Sequence, residues 1–206
     1  MPYALLVAKP KRSRPGPAGS GRPRPSRDEI AAAAGRTIPD IAAPGLRVLF
    51  CGINPSLYSA ATGHHFARPG NRFWPTLHRS GFTDRVMLPE EQDELLHVGL
   101  GITNVAARAT SRADELSPAE LVAGGLALAD RVARLRPRWL AVAGVTAYRV
   151  AFASPGATVG PQPTPVAGVP VWVLPNPSGL NAHWSAPALA AEFARLRTAA
   201  DGQPGG

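Results

Sequence analysis

Arg47-Val48-Leu49-Phe50-Cys51, running straight into Gly52-Ile53-Asn54-Pro55-Ser56, is the stretch that decides the fold. Its apolar run reads as a strand buried on both faces, which the glycine, the amide and the proline then end. A second stretch has the same form. Val171-Trp172-Val173-Leu174-Pro175 leads into Asn176-Pro177-Ser178-Gly179-Leu180-Asn181 more than a hundred residues later. In an open α/β sheet, loops at the carboxyl ends of neighbouring strands face one crevice. The two loops are therefore expected to converge on one ligand, the first bringing an amide and the second a Gly-Leu finger.

Working outward, caps and periodicity place the other elements. Asp28 as N-cap, Glu29 in the first turn and Gly35 beyond Ala34 predict a short helix. The first strand spans 46–52, and residues 55–70 read as a long loop of the kind that is usually functional. Helices are predicted over 71–81, with Phe73, Trp74, Leu77 and His78 at helical spacing, and over 89–98, opening Pro-Glu-Glu. A second strand covers 101–105. Ser117-Pro118-Ala119-Glu120 is a capping box that starts a long amphipathic helix to Leu135. A third strand at 139–143, a short helix at 145–153, a Pro/Gly-rich loop at 154–168, a fourth strand at 169–174 and a last helix at 187–199 complete the chain. Alternating strands and helices with nearly continuous apolar strands predict an α/β fold: three layers, α/β/α, around a central four-stranded, mainly parallel sheet.

At 206 residues the chain suffices for one well-buried domain, here expected over 28–200, with a flexible end at 201–206. The net charge of +8 is concentrated at the start. Residues 1–27 hold Lys9, Lys11, Arg12, Arg14, Arg22, Arg24 and Arg27 and no acid, and the remainder is close to neutral. Pro10, Pro15, Pro17, Pro23 and Pro25, among glycines and serines, forbid a regular helix there, so this basic tail is expected to be disordered. It suits loose phosphate contact, or it is a solubilising extension. No apolar run reaches the ~18 residues of a membrane span and no signal-peptide pattern opens the chain, which predicts a cytoplasmic protein without a membrane partner. The single cysteine, Cys51, excludes an internal disulfide and an all-cysteine metal site within one chain, and its strand position predicts a core thiol.

Asn54 ends a strand and precedes a proline, so its backbone is expected to be extended. A neutral amide is no general base, but it holds a water by donating and accepting hydrogen bonds. The plain alternative is a turn asparagine bonding its own backbone. His64 and His65 are adjacent but have no acid or cysteine at ligand spacing, so no metal is expected. Arg68 and Arg72 read as phosphate clamps or as solvated charges. Trp74, Trp139 and Trp172 read as core, and Trp184 as either core or rim.

Gly52-Ile53-Asn54-Pro55-Ser56, then Thr62-Gly63-His64-His65-Phe66-Ala67-Arg68-Pro69-Gly70-Asn71-Arg72-Phe73-Trp74, then Leu174-Pro175-Asn176-Pro177-Ser178-Gly179-Leu180 together resemble the mismatch-specific uracil-DNA glycosylase family. That family is similar to thymine-DNA glycosylase and sits in the wider uracil-DNA glycosylase superfamily. The resemblance runs from about Ala43 to about Arg197. It implies that Asn54 orients an attacking water and that Ile53 and Phe66 meet a flipped pyrimidine, the latter by stacking. Asn176, Pro177 and Ser178 would form the wall and grip a phosphate, and Leu180 would fill the gap in the duplex. Gly179 and Asn181 would meet the widowed guanine.

Ser56, Tyr58, Ser59 and Asn104 join the expected base pocket, and Arg68, Arg72 and His183 the expected DNA contacts. Taken alone, Asn104 reads rather as a turn or strand-end hydrogen bonder, and His183 equally as a residue of local capping or packing. The chain departs from the family pattern at Ser56, commonly glycine, at Tyr58, commonly smaller, and at Asn181-Ala182-His183, which lacks an arginine that some relatives carry. The implied activity is removal of uracil, and with it thymine or related modified pyrimidines, from mismatched duplex DNA. The enzyme would be a monofunctional, nucleoid-associated monomer acting on G·U or G·T pairs without a cofactor. Lys9 and Lys11 are the only lysines, and neither stands in a motif, so an active-site Schiff base is not expected. Two other classes remain open at this level: a non-catalytic binder of mismatched or abasic DNA, and a nucleotide-binding α/β protein. The latter would want a glycine-rich phosphate loop that the first strand lacks.

Overall fold

The computed structural model describes residues 24–202. The expected basic tail therefore lies outside the described residues except at its end. There Ser26, and not Asp28, is the N-cap of α1 (Arg27–Ala31): its hydroxyl accepts from Glu29 N while the Glu29 carboxylate accepts from Ser26 N. The aspartate signal was displaced by a complete capping box two residues earlier.

Five strands follow: β1 (Val48–Gly52), β2 (Leu100–Asn104), β3 (Trp139–Ala143), β4 (Gly160–Pro161) and β5 (Val171–Leu174). Their order in the sheet is β2-β1-β3-β5-β4. The first four in that order are parallel, and the short β4 runs antiparallel on the edge. The expected four-stranded sheet thus has a fifth strand, inside a stretch read as loop. Two residues leave no periodicity to read, and Pro161 is tolerated because the strand is an edge.

The strands bury both faces, as their apolar runs require. One face, with Phe50, Ile102 and Trp172, packs on α3 (Phe73–Arg79) and α6 (Ala186–Gly202) through Phe73, Leu77, Phe193 and Leu196. The other, with Leu49, Cys51, Val142 and Val173, packs on α4 (Pro118–Leu135) and α5 (Val145–Ala151) through Leu128, Val132 and Tyr148. Cys51, Trp74, Trp139 and Trp172 are buried as expected. In α4 the pair Gly124-Gly125 permits close docking: a Cβ on Gly125 would lie 2.3 Å from the Ala151 carbonyl oxygen.

Two further elements differ from expectation. The long loop after Pro55 contains α2 (Leu57–Thr62), capped by the Ser56 hydroxyl and stopped by Gly63 at φ 78°. Those are ordinary start and stop signals, hidden by small polar residues with little apolar periodicity. The acidic segment Pro89–Val98 is wound as a 3-10 helix. Its buried residues, Gln92 and Leu95, are three apart, the spacing at which 3-10 side chains align.

The sheet order fixes where a ligand can sit. The chain passes from β1 to β2 on one side, then crosses back over β1 to β3, making a switch point at the carboxyl end of β1. β1 and β5 are not neighbours; β3 lies between them, so their loops stand about two strand spacings, ~10 Å, apart.

Candidate active site

A cleft of about 540 Å³ opens at that carboxyl edge. Both opening loops reach it: Gly52 to Ser56 on one side, Asn176, Ser178 and Leu180 on the other, with Ser59, Phe66 and Asn104 between. The 110–114 segment, which the sequence did not single out, supplies a further wall.

Asn54 is held from outside its own loop. Its Nδ2 donates to the Arg108 carbonyl at 3.0 Å and to Thr110 Oγ1 at 2.7 Å, and Thr110 in turn donates to the Arg112 carbonyl. A carbonyl only accepts, so the atom facing Arg108 must be the NH₂. Both amide protons are thereby used, and Oδ1 remains as an acceptor for a ligand. Arg108 is itself anchored by an ion pair with Glu120 and by a bond to the Glu115 carbonyl. Thr110 and Arg108, the partners of Asn54, are cleft-side residues the sequence reading missed. Their link to Asn54 spans more than fifty positions and leaves no local pattern.

The floor is set by crowding around Gly52. A Cβ there would lie 2.6 Å from Asn104 Oδ1 and 3.3 Å from Phe66 Cζ. Asn104 is buried and donates through Nδ2 to His65 Nδ1 at 3.4 Å, while His65 Nε2 faces the Pro39 carbonyl at 2.9 Å. The Pro39 carbonyl makes Nε2 the protonated nitrogen and Nδ1 the acceptor, so Asn104 turns its NH₂ to His65 and its carbonyl towards Gly52. Burial lowers the His65 pKa, outweighing the opposing pull of the Pro39 bond and of Asp40. Phe66 sits at φ 54°, left-handed backbone that a non-glycine residue adopts only under constraint. The constraint is visible: its ring stacks on Phe73 with centroids 4.0 Å apart, and the next amide, Ala67 N, donates to Ser59 Oγ. Ser59 Oγ also accepts from Ser56 Oγ, which leaves the Ser59 proton free to donate.

Tyr58 does not join this cleft; it lines an adjoining hollow of about 330 Å³ with Ile30 and Leu57. It is half-buried and is not among the residues that line the base pocket expected of it. Arg68 lines both spaces, is exposed, and among the described residues has no side-chain hydrogen bond or ion pair. Arg72, expected to grip DNA, is turned inward onto the carbonyls of Ser178, Asn181 and Trp184. Pro177, also expected at the DNA, is buried, and its carbonyl accepts from Arg72 N. Asn176 shapes the loop by accepting from Ser178 N, and the Asn181 side chain folds back on the Asn176 carbonyl. Gly179 and His183 are exposed, and Leu180 is 76% exposed at the crest.

A three-layer α/β/α fold with an amide-lined cleft at the sheet's switch point defines a ligand-binding α/β protein with its site in loops at the strand ends. Residues 39–198 match the model of a family described as the uracil DNA glycosylase superfamily. The chain belongs to that superfamily, a family of DNA glycosylases, hydrolases that act on DNA. Its fold is also similar to a solution NMR structure from Methanosarcina acetivorans, provisionally described as a uracil DNA glycosylase. The TM-score is 0.53 at 21% identity, covering 79% of this chain and 98% of that one.

Proposed function

We propose that this chain removes uracil from mismatched duplex DNA by hydrolysis of the N-glycosidic bond, leaving an abasic site. The observation that carries the reading is the state of Asn54: both amide protons are committed to Arg108 and Thr110, and Oδ1 is left to hold a water in the cleft. In the reaction the C1′–N1 electron pair leaves with the base. The water oxygen then bonds to C1′ and releases its proton to solvent. Asn54 positions that water and takes no proton, which suits a bond that breaks by leaving-group departure. Ser59 donates to a pyrimidine carbonyl, Asn104 Oδ1 accepts from a ring N–H, and Phe66, backed by Phe73, receives the flat face of the base. Leu180 fills the vacated stack, a role its exposed apolar side chain fits.

Extrusion costs a few kcal/mol and least at a mismatch, so G·U is preferred over A·U. The absence of lysine from both motifs supports a monofunctional enzyme. Arg68 and the basic tail contribute phosphate contacts, which suit a nucleoid-associated protein, and the chain is taken to act as a monomer. The test is release of uracil from G·U and A·U duplexes, read as strand cleavage after alkali. Asn54→Ala is expected to lower the rate about 10²-fold or more, the scale of removing one positioned polar group from a transition state. An Asn54→Ala protein with full activity would overturn the assignment.

A further inference from the structure

The loop that carries Leu180 is built around one guanidinium. Arg72 stands just before α3, at the end of the loop that presents Phe66. Its Nη1 donates to the Trp184 carbonyl, and its Nη2 to the carbonyls of Ser178 at 2.9 Å and Asn181 at 3.0 Å. Its backbone N–H donates to the Pro177 carbonyl at 3.0 Å. Four carbonyls of one segment thus converge on a residue more than a hundred positions earlier. Beside them the backbones touch: a Cβ on Gly179 would lie 2.5 Å from the Gly70 carbonyl oxygen. Within the segment, Leu180 N donates to Ser178 Oγ, so the residue at the crest is tied to Ser178, whose carbonyl accepts from Arg72.

We infer that Arg72 is a positioning residue that presets the Leu180 finger and couples it to the Phe66 loop. The inference rests on the glycosylase reading and assigns Arg72 a role distinct from phosphate binding. Charge-assisted bonds from a rigid fork fix several carbonyls at once, which a lysine ammonium on a flexible stem does not reproduce. An ordered finger enters the duplex without first losing conformational freedom, and its insertion is linked to the surface that receives the base. The finger is required in proportion to the cost of unpairing, so its support matters most where the uracil is paired.

The experiment compares kcat/KM for uracil opposite guanine with uracil opposite a baseless spacer in the same duplex sequence. Arg72→Lys and Arg72→Gln are both expected to lower the paired-to-unpaired ratio about tenfold, and to leave the salt dependence of DNA binding at the wild-type slope. Gly179→Ala, which pushes the same finger off Gly70, is expected to give the same loss and covers the case in which an Arg72 variant does not fold. In a Leu180→Ala background, Arg72→Lys should cost nothing further on paired uracil. Rescue by lysine together with a slope reduced by about one in Arg72→Gln would mark a phosphate clamp and overturn the inference. An equal loss on both substrates would overturn it as well, marking a general structural role. If the wild-type chain releases no uracil from either duplex, the glycosylase reading fails and takes the inference with it. Release by the wild type with unchanged ratios in all variants rejects the inference alone.

Discussion

Which atom Asn54 offers to the cleft is set by what its neighbours use up. Thr110 accepts one amide proton and hands its own to the Arg112 carbonyl, so Thr110→Val should free the amide to rotate without changing side-chain shape. A drop in uracil release of about tenfold is expected, with little change in substrate KM. Gly52 is the second sensitive residue. Gly52→Ala drives a methyl group into Asn104 Oδ1 and Phe66, at an overpacking cost of about 1–3 kcal/mol in thermal or denaturant unfolding. Its activity loss should exceed the loss of folded protein, because the methyl group occupies the floor of the cleft. His65 adds a pH dependence. Its pKa is lowered in the fold, so its contribution to stability is complete above the unfolded value near 6.5 and is lost as pH falls through the folded value. Uracil release should fall over the same acidic range as Nδ1 takes a proton and Asn104 loses its acceptor. A His65→Phe protein should lose that limb in a pH–rate profile. Asp40 and His64 are the other titratable groups acting on His65, with opposite signs.

At the scale of elements, the start of α4 serves the site from a distance. Glu120 completes the capping box with Ser117 and also binds Arg108, whose carbonyl holds Asn54. The Arg108 bond and the two Ser117 bonds hold the Glu120 carboxyl down at about 2. A depressed carboxylate contributes above its unfolded pKa and is lost as pH falls through the folded one. The Glu120 carboxyl resonance should therefore titrate near 2 in wild type and move up towards the ordinary glutamate range in an Arg108→Met protein. Ser117→Ala should cost about 1 kcal/mol in stability through the lost cap, with a smaller effect on catalysis than Glu120→Gln. Capping boxes were legible because their residues lie three apart. The one at Ser117 was read correctly and the one at Ser26 was missed by two residues. The bond from Asn54 to the segment after β2 was not legible, since its two ends are brought together by the pairing of β1 with β2.

For the whole molecule, the site depends on β1, an interior strand of the sheet that is buried along its whole length. Phe50 is 1% exposed and touches Phe73, Phe82 and Phe193, one of them by near-parallel stacking. Phe50→Ala should cost about 3–5 kcal/mol and lower the melting temperature by roughly 10 °C. Because Phe73 also backs Phe66, the same change should weaken base release in the protein that remains folded.

Strand and helix assignments came from the sequence because apolar runs and caps are local signals: β1, β2, β3, β5, α4 and the two loops of the cleft were all visible there. The likeness of three motifs to one family pointed to the chemistry, and the family match over residues 39–198 agrees at the level of the superfamily. What the tertiary structure decided is how each side chain spends its hydrogen bonds. Tyr58 lines a hollow beside the base pocket, Pro177 is buried, and Arg72 holds a loop where the sequence suggested a phosphate. A residue type states what a group can donate or accept; which partner uses it depends on chain segments far apart in sequence, and those meet only when the sheet is formed.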